Sequence, residues 1–175
     1  MPDLHNSPPA SATASLLRVA RLAMALAVLT PGLAACADGN AEGIVTRHFA
    51  AVEFADAREA LAEAIANEGI ARPVESHFAR MLDRTAADLG HAHGLYAEAE
   101  ILTFCSAPVA AALVTEAREH IALCPLSIAV YTLREGEAAA VLAYRPPSLH
   151  GAGGDAARAL MQRIVSRTAR LLGQE

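Results

Sequence analysis

The spacing of apolar and polar positions changes several times along the chain, and each change marks a predicted element. From Gly43, "GIVTRHFAAV" holds β-branched residues in near alternation, which predicts a first strand. Phe54, Ala57, Leu61, Ala64 and Ile65 then recur at helical spacing, so an amphipathic helix is expected over Phe54–Glu68, with Gly69 placed to end it in a left-handed turn. "IARPVESHF" reads as a second strand, where Pro73 points to an edge or an irregular start. A short helix in "ARMLDRTAADLG" ends near Gly90, and "HAHGLY" reads as loop. The run "AEILTFCS" has the apolar character of a buried strand, and Pro108 suits the first turn of a helix through Glu119 behind Ser106 as N-cap. "LSIAVYTL" and "AAAVLAYRP", joined by "REGE", carry the signature of a β-hairpin. Last, Ala157, Leu160, Met161, Ile164, Thr168 and Leu171 fall on one face of a C-terminal helix, with Asp155 as the expected N-cap. The order β-α-β-(α)-β-α-β-β-α predicts an α+β domain, a single mixed β-sheet packed by helices.

The first thirty-five residues follow a different rule. Arg18 and Arg21 precede the apolar run Leu22–Leu29, Pro31-Gly32 interrupts it, and Leu33-Ala34-Ala35-Cys36 follows, which is the order of a secretory signal. The run is shorter than the roughly 20 residues a membrane span needs. Leu33-Ala34-Ala35-Cys36 resembles the bacterial lipobox, and that resemblance implies cleavage before Cys36 and a lipid on its thiol. A plain signal cut nearby, or an internal core helix, would share the same run. Residues 1–35 are therefore expected as a lipoprotein signal peptide, 36–42 as a flexible tether, 43–147 as the α+β domain, and 148–175 as a linker with the C-terminal amphipathic helix. This places the protein in the bacterial cell envelope, facing the periplasm and joined to a membrane through the lipid on Cys36. Ala37, rather than Asp, after the cysteine favours the outer membrane.

Composition narrows the chemistry. The chain has 175 residues and a formal net charge of -5, room for one domain and no concentrated basic surface for nucleic acid. All 14 basic residues are Arg, so Schiff-base lysines and a P-loop lysine are excluded. Aromatic residues make up 4% of the chain and Trp is absent, which disfavours a stacking platform for bases.

The residues left with chemistry to offer are few. Cys105, at the end of a strand, and Cys124, before the next, are an even pair in an exported chain, and such pairs bridge in oxidising compartments. A disulfide, two inert thiols, and a redox or soft-metal site all fit the spacing. As a metal site for copper or zinc the thiols would recruit His77, or His48 or His120. His91 and His93 in "HAHG" can chelate on a strand and are solvated in a loop. Ser127, His120 and Asp83 lie in no motif that assembles a nucleophile. Glu98 and Glu100 read as solvated acids at the start of a strand. Arg158, Arg163, Arg167 and Arg170 read as the exposed face of the last helix, with anionic lipid headgroups as the competing reading.

The segments "EALAEAIANEGI", "LYAEAEILTFCSAPVAAALV", "CPLSIAVYTL" and "VLAYRPP" together resemble the bacterial and archaeal family known as domain of unknown function 302. The matching positions are Gly69, Ser106-Ala107-Pro108, Pro125 and Tyr144, and the likeness spans residues 43 to 147. It implies a compact α+β fold related in outline to TATA-binding-protein-like sheets, association as a homodimer, and no particular reaction. Cys105 and Cys124, and the C-terminal helix beyond Pro147, depart from the family's pattern. The expected function is a non-enzymatic binding or interaction module of the envelope, for an unidentified protein or small-molecule ligand, with a Cys105–Cys124 disulfide. The alternative is a redox-active or copper- or zinc-handling protein using the same two thiols.

Overall fold

The computed structural model describes residues 43–90, 94–135 and 139–175, so the expected signal peptide, the tether, Cys36, His91 and His93 lie outside the described residues. The elements are β1 (Val45–Ala50), α1 (Phe54–Ala66), β2 (Val74–Ser76), α2 (Phe78–Leu89), β3 (Tyr96–Phe104), α3 (Ala107–Glu116), a 3-10 segment (Arg118–Leu123), β4 (Leu126–Leu133), β5 (Ala139–Tyr144) and α4 (Ala152–Leu171). Five strands form one sheet in the order β1-β5-β4-β3-β2. The α+β class, the single sheet and the order of elements are those the pattern predicts. The expected mixed sheet narrows to one in which every neighbouring pair is antiparallel.

Register decides which side chains meet. Leu102 lies opposite Ile128, Ile128 opposite Tyr144, and Val45 opposite the same Tyr144. Because side chains alternate along a strand, Leu102, Phe104, Ile128, Val130 and Leu142 share one face, and all are buried. Leu61 and Ile65 of α1, Leu113 of α3, and Met161 and Ile164 of α4 complete the same core. Each such side chain contributes about 1.5–3 kcal/mol on burial. Meanwhile α2 lies against β3, with Ala79 and Ala86 buried and the Phe78 ring edge-on to Tyr96 at 6.0 Å. A left-handed Gly90 ends α2, as the sequence suggests.

The C-terminal helix starts earlier than expected. It begins at Ala152 after Gly151, so Asp155 sits in its first turn and pairs with Arg158 instead of capping. The cap comes from another element: Glu116, at the end of α3, accepts the Gly153 N–H at 2.8 Å. A side chain at Gly153 would place its Cβ 2.8 Å from the Leu113 Cα, so α3 and α4 approach closely only because that position has none.

The arginine face of α4 is largely occupied within the protein. Arg163 donates to Glu68 at 3.1 Å and Arg167 to the same carboxylate at 3.4 Å, while Arg158 donates to the Pro147 and Leu149 carbonyls at 2.8 and 2.6 Å. These bonds tie α4 to the end of α1 and to the segment before it. Among the described residues no helix is long and apolar enough to cross a membrane.

Candidate functional site

Two polar groupings stand out, and both are built on β3. At its C-terminal end the last residue pair is Phe104 with Leu126. Cys105 follows by one residue, and Cys124 precedes by two, so the two chains bring their thiols side by side as they leave the sheet. Cys105 is exposed and Cys124 half-buried, and the two free thiols lie near one another. Burial pushes the Cys124 thiol above its ordinary pKa, and the neighbouring Cys105 thiol adds to the rise.

The expected bridge is corrected to this extent: Cys105 and Cys124 are adjacent free thiols, near one another but not at bonding distance. The register explains it. One thiol is one step beyond the last pair and the other two steps beyond, so they meet on a diagonal and not directly across.

Beside them opens a cleft of about 550 Å³, lined by Leu123, Pro125, Leu126, Ser127, Arg145 and Pro147 among others. Leu123 and Pro125 are the chain neighbours of Cys124.

The second grouping lies toward the middle of β3. Ser76 pairs with Ile101, so the next residue on each side, His77 and Glu100, face one another. His77 Nδ1 donates to Glu100 Oε1 at 2.6 Å. Arg58 from α1 stands 3.9 Å from the other oxygen of Glu100 and 3.3 Å from Glu75 of β2. The Glu100 side chain is only 13% exposed, and its Oε2 is buried without a hydrogen-bond partner. A cleft of about 300 Å³ opens here, and Phe54, His77, Arg80, Glu98 and Glu100 contribute to its lining.

This arrangement separates residues that the sequence left open as one set. Cys105 lies five positions beyond Glu100, about 16 Å at the rise of an extended strand. His77 thus belongs to the Glu100 grouping, and it does not join Cys105 and Cys124 as a ligand. His120 Nδ1 lies 3.1 Å from the Leu113 carbonyl, where it serves the end of α3, and His48 is exposed on β1. Among the described residues no group of three or more His, Cys, Asp or Glu is placed to hold a metal ion.

Glu100 is the residue that sequence reasoning missed. Expected with Glu98 as a solvated acid, it instead shares a strand face with Leu102 and Phe104, and α1 lies across that face. The signal was present in the alternation: a carboxylate two and four residues before buried apolar side chains faces the same layer.

The comparisons with known proteins agree with the fold. Residues 45–173 match the family model described as domain of unknown function DUF302, a span that takes in α4. Among solved structures, the crystal structure of an uncharacterized conserved protein DUF302 from Bacillus stearothermophilus is similar over 74% of this chain and 98% of that one, with a TM-score of 0.57 and 17% identity. At that identity the likeness shows the fold alone. No curated protein matches the chain.

Proposed function

The chain belongs to the DUF302 family, and from that premise we propose that it is a binding module of the bacterial cell envelope whose Cys105–Cys124 pair cycles between dithiol and disulfide beside its ligand cleft. The observation that carries this reading is the nearness of the two free thiols at the sheet end, next to the cleft walled by Leu123 and Pro125. Two thiols held this close need only a small local shift to bond. The lipid on Cys36 and the tether after it hold the domain to the membrane, with the outer membrane as the favoured site.

The chemistry is thiol–disulfide exchange with an external disulfide as oxidant. The exposed Cys105 sulfur attacks one sulfur of that disulfide, its S–S bond breaks, and one partner thiol leaves as a mixed disulfide forms. Cys124 then attacks the Cys105 sulfur and releases the second partner thiol. Two protein thiols are oxidised and one external disulfide is reduced to two thiols, so atoms and electrons balance. The raised pKa of Cys124 suits the second role, because a thiol kept protonated is the poorer first nucleophile.

Mass spectrometry of the mature protein under non-reducing conditions tests this. A peptide pair joined through Cys105 and Cys124 is expected after exposure to a disulfide oxidant. Two freely alkylated thiols after that exposure would sink the exchange reading, and stoichiometric copper lost on Cys105→Ser would replace it with metal handling. For the anchor, Cys36→Ala is expected to release the protein from the membrane fraction.

A further inference from the structure

The His77–Glu100 grouping plays no part in thiol exchange, yet it is assembled from four elements and opens on its own cleft. A carboxylate only accepts, so in the neutral imidazole the 2.6 Å bond fixes the proton on His77 Nδ1 and leaves Nε2 as an acceptor. The His77 side chain is 47% exposed, so that acceptor is reachable from solvent. Arg80, three residues on, lines the same cleft, is exposed, and makes no ion pair among the described residues. Glu98 lines it too, exposed and two residues from Glu100 on β3. Arg58 and Glu75 neutralise each other behind Glu100 and leave these cleft-facing groups uncommitted.

The cleft therefore offers one cation, Arg80, and two acceptors, His77 Nε2 and the Glu98 carboxylate, over an apolar floor of Phe54, Ala79 and Ala97. A lone anion would meet Glu98 and a lone cation would meet Arg80. The chemistry that satisfies both is a small zwitterion. At about 300 Å³ the cleft stands at the lower limit of ligand pockets, which suits a molecule of few heavy atoms.

We infer that this cleft is a second ligand site, and that it takes a free α-amino acid. The ligand carboxylate pairs with the Arg80 guanidinium, a planar fork suited to carboxylates. The ligand ammonium donates to His77 Nε2 and to Glu98, and a short aliphatic side chain covers the apolar floor. Glu100 is a positioning residue, its Oε1 holding the imidazole in one tautomer.

Nitrogen-15 NMR of the full domain tests the site with L-alanine as probe, against propionate, which lacks the amine, and ethylamine, which lacks the carboxylate. Millimolar L-alanine is expected to shift the His77 Nε2 resonance and the Ala79 and Arg80 amides. Propionate and ethylamine are expected to bind at least about tenfold more weakly, a difference of about 1.4 kcal/mol. Arg80→Ala, at an exposed position, is expected to abolish the response, and Cys105→Ser to leave it unchanged. Glu100→Gln is expected to mix the two imidazole tautomers in the free protein and weaken alanine binding together. The site is overturned if L-alanine moves neither resonance, if propionate moves them equally, or if the response survives Arg80→Ala.

Discussion

Glu100 stands in β3 and Cys105 directly after its last residue, five positions on, and the two acquire their partners in different ways. Cys105 meets Cys124 because β3 and β4 are neighbours in the sheet and the segment between them returns to the end it left. One strand pair suffices to make that contact. Glu100 meets His77 and Arg58 only after β2 has paired with β3 and α1 has settled across both. The first grouping is a property of a local return, and the second is a property of the assembled domain. Residue chemistry alone does not reveal this difference, since a thiol pair and an acid–imidazole pair are equally able to form in either way.

The two groupings are therefore expected to respond differently to perturbation. The largest effect belongs to the thiols: in the oxidised protein, closing the loop from Cys105 to Cys124 is expected to add about 3 kcal/mol in the chain-entropy model. Urea unfolding with and without reductant measures it, and Cys105→Ser should erase the difference between the two curves. Next comes Glu100→Ala, expected to cost about 1.5 kcal/mol because His77 and the partly covered Arg58 lose their acceptor. That cost should be the same in oxidised and reduced protein, and should add to that of Cys105→Ser within about 0.5 kcal/mol, since the sites are well separated. Strong non-additivity would mean that the two ends of β3 act as one unit.

The smallest effect is in pH. The folded state holds the Cys124 proton more tightly than the unfolded state does. Stability from this source is complete below the ordinary thiol pKa of about 8.5 and falls as pH rises through the higher folded value. Reduced protein should lose stability across that alkaline window while the oxidised protein, with no thiol to titrate, does not. Alkylation rates followed against pH should also show Cys124 reacting more slowly than the exposed Cys105.

The same contrast explains what could be read from the chain. The elements were legible because period and punctuation are local: Phe54 to Ile65 at helical spacing, Gly90 at the end of α2, and two apolar runs around "REGE" all report on their own neighbourhoods. The proximity of Cys105 and Cys124 followed from their places at adjacent strand ends. Their offset did not, because it depends on a register of single residues set by the whole β3–β4 pair. The alternation in "AEAEILTF" puts Glu100 on the face of Leu102 and Phe104, but its burial also needs the position of α1, which that stretch does not contain. The start of α4 escaped for a related reason. Asp155 has the chemistry of an N-cap, but the cap is Glu116, 37 positions before Gly153 in the chain.

The pairing of β1 with β5 sets a condition on how the protein comes into being. Val45 finds its partner in Tyr144, and Arg47 is further held by the backbone carbonyl of Gln174, at the far end of the domain. The first strand to leave the ribosome is thus the last to be paired. Until β5 has emerged, β1 has no neighbour, and until the residues after the final helix follow, Arg47 lacks the Gln174 carbonyl, so the domain cannot be completed piecemeal during synthesis. The chain carries its own timer: maturity is reached only when both of its ends have arrived.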